Sequence, residues 1–300
     1  MTSPSTGWKT RALIVAAPLL LTLVAYSQEL ESTLTEVLDQ TLQIDVDLVM
    51  VPVTVTNERN RPVTGLRQEH FQVFEDRIEQ EIVSFGAEDI PISIGIIFDV
   101  SGSMGDQIGL ARQASASFLQ HGTPDDEVFL VLFNAEAEIV QDFTNDINSI
   151  QRFLLFKETG GMTAMYDAVY LGLEKVQEGI NPKKALLLVT DGLDNRSRYR
   201  LSNVREFIRE SEVQLYSIGG ARTLAEETGG RAFFPRRMSE LADISRSISI
   251  ELKNQYVIGY ESTNETTDGE WRDIDVRLDP PTGAPRLISR ARRGYYAPVQ

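Results

Sequence analysis

Four short apolar runs in the middle of this 300-residue chain are separated by segments with helical periodicity. The runs are continuous rather than alternating, which indicates strands buried on both faces, as in a parallel sheet covered by helices. Strands that alternate with helices predict a doubly wound, Rossmann-like α/β layer with right-handed crossovers. The predicted strands are 93–98, 128–133, 185–189 and 213–218, and the predicted helices are 108–119, 147–156, 164–177, 204–210 and 239–253.

Both ends of the chain instead show the period of two that is typical of half-buried strands. Residues 44–89 and 254–300 hold only about 45 residues each, which is too few to close a hydrophobic core alone. We therefore predict one β-sandwich made from both ends, with the α/β domain, residues 90–253, inserted between them. Two separate small sheets packed on the α/β domain form the alternative arrangement. In the first segment, the predicted strand pair is 71–75 and 80–85.

Residues 1–27 have the features of a secretory signal peptide. Lys9 and Arg11 precede an apolar run of about 14 residues, shorter than the ~20 that a membrane span needs, and small residues then suit cleavage before Gln28. Residues 28–43 are predicted to be a linker. We expect a secreted, periplasmic or cell-envelope protein with no stable membrane span after cleavage. An uncleaved N-terminal membrane anchor is the alternative.

Composition excludes several classes of function. The chain has no Cys, so disulfides, thiolate-bound metals and thiol nucleophiles are excluded, and its two His residues cannot form a three-His metal site. With 29 Lys and Arg against 44 Asp and Glu, the formal net charge is −15, which argues against a general nucleic-acid binder. A metal site in this chain therefore has to be built from hard oxygen ligands.

Such a site is predicted where two of the apolar strands end. The strand 93–98 runs into a turn that presents Asp99, Ser101 and Ser103 at alternate positions, and the strand 185–189 runs into Asp191. A Gly-rich turn adds the hydroxyl of Thr163. Ligands of open α/β sheets bind beyond the carboxyl ends of strands, where two neighbouring carboxylates would repel each other unless a divalent cation lay between them. Capping and loop roles are the competing interpretation of these Asp and Ser residues.

These three motifs together resemble the metal-ion-dependent adhesion site of von Willebrand factor type A domains, over about residues 90–252. The resemblance implies that Asp99, Ser101 and Ser103 bind the cation directly or through water, and that Thr163 and Asp191 exchange direct and water-mediated roles. It also implies that an acidic side chain of a partner protein completes the coordination. The flanking segments, including residues 51–56 and 293–297, resemble type-A-related proteins of Acidobacteria.

We therefore expect a metal-ion-dependent, adhesion-type protein-binding module that holds Mg²⁺, or Mn²⁺ or Ca²⁺, and binds a partner's Asp or Glu carboxylate. The acidic chain should favour a partner whose surface is otherwise neutral or basic. We expect the loops around Met104, Met162 and Asp194 to set specificity. The alternatives are a metal-assisted hydrolase at the same site, with Asp106, Asp167 or Asp194 as candidate bases, and a scaffold part of an envelope complex.

Overall fold

The structure is a computed structural model. It describes residues 48–86, 90–120, 122–191, 193–235, 237, 239–281, 283 and 285–299. The predicted signal peptide, the predicted linker, and the first four and last three residues of the predicted N-terminal β segment lie outside the described residues. Within the described ranges, no helix is both long enough and apolar enough to cross a membrane.

Within the same ranges the chain forms fourteen strands and six helices. The strands are β1 Leu48–Asn57, β2 Phe71–Glu75, β3 Ile78–Gln80, β4 Ile82–Gly86, β5 Ile92–Asp99, β6 Glu127–Phe133, β7 Ala137–Thr144, β8 Lys183–Val189, β9 Gln214–Ile218, β10 Ala232–Phe233, β11 Tyr256–Glu261, β12 Trp271–Leu278, β13 Leu287–Arg290 and β14 Gly294–Tyr296. The helices are α1 Ile108–Leu119, α2 Ile147–Phe156, α3 Met165–Gln177, α4 Leu201–Glu210, α5 Arg222–Glu227 and α6 Ser239–Lys253.

The predicted α/β layer is confirmed as a six-stranded sheet in the order β10-β9-β8-β5-β6-β7. Its strands are parallel except β7, which runs antiparallel to β6 at the edge. All eight residues of the central strand β5 are buried, as its continuous apolar run predicts. Helices α1, α2 and α6 cover one face of the sheet, and α3, α4 and α5 cover the other. This architecture places the carboxyl ends of β5 and β8 side by side.

Strand β7 and helix α5 have no counterpart in the sequence prediction. Strand β7 lies at the edge of the sheet and is only partly buried, so it lacks the continuous apolar run by which the other strands are recognised. Helix α5 has six residues, too few to show a helical period. Helix α4 begins at Leu201, three residues before the predicted start, because the residues of its first turn are exposed and carry no apolar pattern.

The two chain ends form the predicted β-sandwich, as two four-stranded antiparallel sheets in the orders β13-β1-β11-β4 and β14-β12-β2-β3. Each sheet contains strands from both ends of the chain. One apolar core joins them, with buried side chains from β1 and β11 of the first sheet and from β2 and β12 of the second. The alternative of two separate sheets is therefore wrong, because neither sheet buries its apolar face without the other.

The predicted pairing of strand 80–85 with strand 71–75 is wrong, because the chain passes from one sheet to the other between Gln80 and Ile82. Strand β3 pairs with β2 across a tight turn at Asp76 and Arg77, which both have positive φ, and β4 pairs with β11 in the other sheet. The buried Gln80 side chain fixes the crossing point. Its amide exchanges hydrogen bonds with the backbone N–H and the hydroxyl of Thr263, both at 3.0 Å.

A buried ion cluster joins the α/β domain to the sandwich. The Glu251 carboxylate, at the end of α6, is fully buried and binds Arg231 at 2.8 Å and Arg290 of β13 at 2.9 Å. Burial raises the pKa of Glu251 and lowers the pKa of Arg231, and their mutual attraction opposes both shifts. The cluster therefore places charged groups, whose burial costs free energy, where the α/β domain meets the sandwich.

Candidate metal centre

The turn after β5 brings the first three predicted ligands into contact. Asp99 is the last residue of β5 and is fully buried, and one of its oxygens accepts the Ser101 N–H at 2.8 Å. Ser101 directly precedes a 3-10 turn, Gly102–Asp106, and Ser103 lies within that turn. The Ser101 and Ser103 hydroxyl oxygens lie 3.1 Å apart. The alternating Asp-x-Ser-x-Ser spacing therefore directs three oxygen-bearing side chains to one place.

Asp191, which follows β8, completes a continuous row of oxygen groups. The Ser103 hydroxyl donates to one oxygen of Asp191 at 2.9 Å. Asp99, Ser101, Ser103 and Asp191 are thus linked one to the next, the first pair through the Ser101 backbone N–H and the others through side chains, although the two carboxylates are 92 positions apart in the chain. This linkage follows from the parallel pairing of β5 with β8.

Thr163 lies on the neighbouring loop, and backbone hydrogen bonds tie that loop to the turn. The Gly102 N–H donates to the Gly161 carbonyl at 3.0 Å, and the Gly160 N–H donates to the Val100 carbonyl at 2.8 Å. Gly161 has a φ of +85°, a conformation that residues with a side chain rarely adopt. The Gly-Gly sequence before Thr163 is therefore explained by the path of this loop.

Burial varies steeply across the site. Asp99 and Ser101 are fully buried and Thr163 is 3% exposed, whereas Asp191 is half-buried and Ser103 is exposed. The site therefore has a dry floor and an open rim. Among these five side chains, Ser103 and Asp191 are the ones that solvent reaches.

The Asp99 carboxylate is held in an environment that disfavours its own charge. Burial raises its pKa above the usual value, the hydrogen bonds from Ser101 and Thr190 lower it, and the negative charge of Asp191 raises it again. The net direction is upward. A buried carboxylate that faces a second carboxylate is the arrangement that a bound cation would stabilise.

Sequence reasoning missed two polar partners of these carboxylates. The Thr190 hydroxyl donates to the second oxygen of Asp99 at 2.6 Å, and the Gln107 amide lies 3.4 Å from Asp191. Thr190 lies between the end of β8 and Asp191, so its position at the strand end is the sequence feature that indicates a role for Thr190 in the site. Gln107 is placed by the 3-10 turn, whose path the sequence does not specify.

Two of the candidate catalytic bases accept backbone hydrogen bonds that hold a loop in place. The Asp167 carboxylate accepts the backbone N–H groups of Arg198 and Tyr199, and the Asp194 carboxylate accepts those of Tyr166 and Ser197. These carboxylates join the loop after β8 to the first turn of α3. Asp106 is exposed on the 3-10 turn.

The specificity role of the loop around Met104 stays a prediction, and within that loop the Met104 side chain itself is buried while Ser103, Gly105 and Asp106 are exposed. Met104 is 2% exposed and packs into the core beneath the site, so a partner cannot reach it. Met162, in contrast, is 54% exposed beside Thr163. Within the described residues, no three His, Asp or Glu side chains form a metal-binding group, so the candidate centre depends on hydroxyls as well as on its two carboxylates.

The fold and the site together define an α/β domain with a carboxylate–hydroxyl site at the carboxyl edge of its parallel sheet. Residues 94–193 match the sequence profile of the von Willebrand factor type A domain. Residues 94–193 therefore belong to a von Willebrand factor type A domain, and chain segments on both sides of it form the β-sandwich. A comparison with curated proteins finds no match to the sequence.

Several solved structures are similar in fold at low sequence identity. A von Willebrand factor type A protein from Catenulispora acidiphila is 13% identical, with 86% of this chain and 76% of that chain covered and a TM-score of 0.49. The PilB minor pilin from Streptococcus sanguinis is 16% identical, with 56% of this chain and 63% of that chain covered and a TM-score of 0.44. The vWF domain of the type V pili tip protein Mfa5 from Porphyromonas gingivalis is 14% identical, with 61% and 100% covered and a TM-score of 0.44.

Proposed function

We propose that this protein is a metal-ion-dependent, adhesion-type protein-binding module. In this proposal Asp99, Ser101, Ser103, Thr163 and Asp191 hold a divalent cation, and an Asp or Glu carboxylate of a partner protein binds to that cation. Mg²⁺ is the proposed ion, with Mn²⁺ and Ca²⁺ as alternatives. The observation that carries the proposal is the continuous row of oxygen groups from buried Asp99 to half-buried Asp191.

The donor set suits a hard cation. It contains two carboxylates and three hydroxyls, and Mg²⁺ prefers oxygen ligands in an octahedral arrangement. A bound cation would supply positive charge that neutralises the two carboxylates and an open position at the exposed rim. The chain offers two negative charges and otherwise neutral donors, so a third carboxylate, from a partner, is a favourable additional ligand.

The remaining residues of the site position these donors. The Ser101 N–H and the Thr190 hydroxyl each hold one oxygen of Asp99, which orients the carboxylate. The Asn195 side chain accepts the Thr163 N–H at 2.9 Å and so fixes the loop that carries Thr163. We propose no catalytic role, since the carboxylates of Asp167 and Asp194 are used in holding the loop after β8.

A type A domain is consistent with a protein-interaction role, and the N-terminal sequence is consistent with export. We propose a secreted, periplasmic or envelope location, with N-terminal anchoring as the alternative. The partner in this proposal is a protein rather than a nucleic acid, because the chain carries a net charge of −15.

Calorimetric titration of Mg²⁺ into the chelator-treated protein tests the metal claim. We expect one binding site in the wild type, no binding by Asp99→Ala, and wild-type binding by Asp106→Ala, which removes an exposed carboxylate from the same turn. Absence of binding to the wild type, or equal binding by Asp99→Ala, would refute the claim.

A purely structural cation is distinguished by a second measurement. If the cation served only the fold, chelation would lower the Tm strongly while Asp191→Ala left partner binding unchanged. We expect instead that Asp191→Ala abolishes the cation-dependent part of partner binding.

A further inference from the structure

The loop of residues 193–200 forms one border of the candidate metal centre. The Thr163 carbonyl accepts the Asn195 N–H at 3.0 Å and the Arg196 N–H at 3.2 Å. The Asn195 side chain in turn accepts the Thr163 N–H. Arg196 is therefore attached by its own backbone to a candidate ligand of the cation.

This loop carries a local excess of positive charge in an acidic protein. Arg196, Arg198 and Arg200 occupy alternate positions, and all three are exposed. The Arg198 side chain is 89% exposed and touches Asp167 through a single nitrogen, at 3.3 Å, so most of its donors face solvent. Exposed arginines are usually only a solvated surface, but these stand beside an open rim on a chain whose net charge is −15.

The loop is fixed in place by contacts that leave the arginine side chains outside. Asp167 accepts the backbone N–H groups of Arg198 at 2.9 Å and Tyr199 at 3.0 Å. The Tyr199 ring stacks on Tyr170 with a centroid distance of 4.0 Å and an interplanar angle of 11°. At the other end, Asp194 accepts the Tyr166 N–H at 3.1 Å. A loop that is already ordered before binding loses little conformational entropy when a partner binds.

We propose that this loop is the second half of the partner site, and that the partner presents a short acidic protein segment. One carboxylate of that segment binds the cation, and flanking Asp or Glu residues pair with Arg196 and Arg198. The exposed side chains of Leu193, two residues after Asp191, and of Met162, next to Thr163, offer the segment apolar contact. This inference rests on the function proposed above and names the chemistry of its partner.

The net charge of the chain does not oppose such a segment at close range. At physiological ionic strength charges are screened beyond about 8 Å, so the arginines at the rim act on a bound segment more strongly than distant carboxylates do. The partner surface outside the segment can still be neutral or basic, in keeping with the repulsion expected of an acidic protein at long range.

Three fluorescein-labelled peptides test the inference by anisotropy with the full chain, in Mg²⁺ and in chelator. Their sequences are GSGDGSG, with one carboxylate, GEGDGEG, with acidic flanks, and GKGDGKG, with basic flanks. We expect the acidic-flanked peptide to bind roughly fivefold more tightly than the single-Asp peptide, the effect of two exposed ion pairs. The basic-flanked peptide should bind most weakly, and added NaCl should reduce the differences.

The decisive variant is the double substitution Arg196→Glu and Arg198→Glu. We expect it to reverse the ranking of the two flanked peptides, while Mg²⁺-dependent binding of the single-Asp peptide is retained. The control, Arg59→Glu with Arg61→Glu, makes the same change in net charge at exposed positions of the sandwich and should keep the wild-type ranking.

The outcomes separate the two proposals. If all three peptides bind equally in Mg²⁺, or if both double variants behave alike, the inference about the loop is refuted and carboxylate binding to the cation stands. If no peptide binds in a Mg²⁺-dependent way, the proposed function is refuted together with the inference.

Discussion

Replacing Asp99 by asparagine should change the stability of the protein in opposite directions with and without a cation. Asp99 is fully buried, and its carboxylate is repelled by that of Asp191. An asparagine keeps an oxygen for the Ser101 N–H and places an amide against the Thr190 hydroxyl, which can also accept. The substitution therefore removes a costly buried charge and preserves the hydrogen bonds.

Without a cation, Asp99→Asn should stabilise the protein by about 0.5–2 kcal/mol, the usual gain when a functional site is relieved of strain or repulsion. For a domain of roughly 250 residues this raises the Tm by about 2–4 °C per kcal/mol. With Mg²⁺ at about 100 times its Kd, the wild type gains about 2.7 kcal/mol, or roughly 5–10 °C, and the variant gains nothing. The order of the two melting temperatures should therefore reverse.

Thermal melts followed by circular dichroism, in chelator and in Mg²⁺, measure both effects. Asp106→Asn is the matched control, because it neutralises an exposed carboxylate on the same turn and should leave both melting temperatures unchanged. A variant Asp99→Asn that melts below the wild type in chelator would show that the buried charge supports the fold without a cation. A variant that keeps the Mg²⁺ increment would show that the cation binds elsewhere.

Three further predictions concern the fold. Glu251→Ala leaves two largely buried arginines without their shared carboxylate and should lower the free energy of unfolding by about 3–5 kcal/mol in urea titration, and a loss below 1 kcal/mol would contradict the role given to the ion cluster. The hydrogen bond from Arg272 holds the pKa of Asp268 at about 2. The pKa of this carboxyl in the folded protein is below its unfolded value of about 3.9. Its contribution to the stability of the fold is therefore complete above pH ~3.9 and is lost as the pH falls towards 2. Asp268→Asn should remove that part of the pH dependence of the Tm, measured in melts at a series of acidic pH values. Gly95→Ala places a Cβ 2.3 Å from the Phe129 ring and should cost about 1–3 kcal/mol in the same urea assay, and wild-type stability would show that the sheet core is looser than described.

The sequence predicts the parallel sheet and the ends of its two central strands, because a strand buried on both faces needs a continuous run of apolar residues. Asp99 follows one such run directly and Asp191 follows another after Thr190, so their meeting at one edge follows from the pairing of β5 with β8. The edge strand β7 was not predicted, because a partly buried strand mixes polar and apolar residues without a regular pattern. The crossing of the chain between sheets at Gln80 depends on a buried amide that pairs with Thr263, far away in sequence.

The supporting contacts of the site were less accessible to sequence reasoning. Asp167 and Asp194 are acidic residues near the site, and their sequence positions do not distinguish a general base from a loop anchor. The structure assigns them to the backbone of the loop after β8, where they hold Arg198 and Tyr199 and the start of α3. That assignment depends on two segments about 30 positions apart being packed together, which no local pattern encodes.

Anomalous diffraction from crystals soaked with Mn²⁺ tests the central claim most directly, because it locates the cation without reference to stability or partner binding. The account predicts one principal anomalous peak at the carboxyl edge of the sheet, in contact with oxygen atoms of Asp99, Ser101, Ser103, Thr163 or Asp191, and no such peak in Asp99→Ala crystals. A principal peak at another place on the protein, or an unchanged peak in Asp99→Ala, would contradict it.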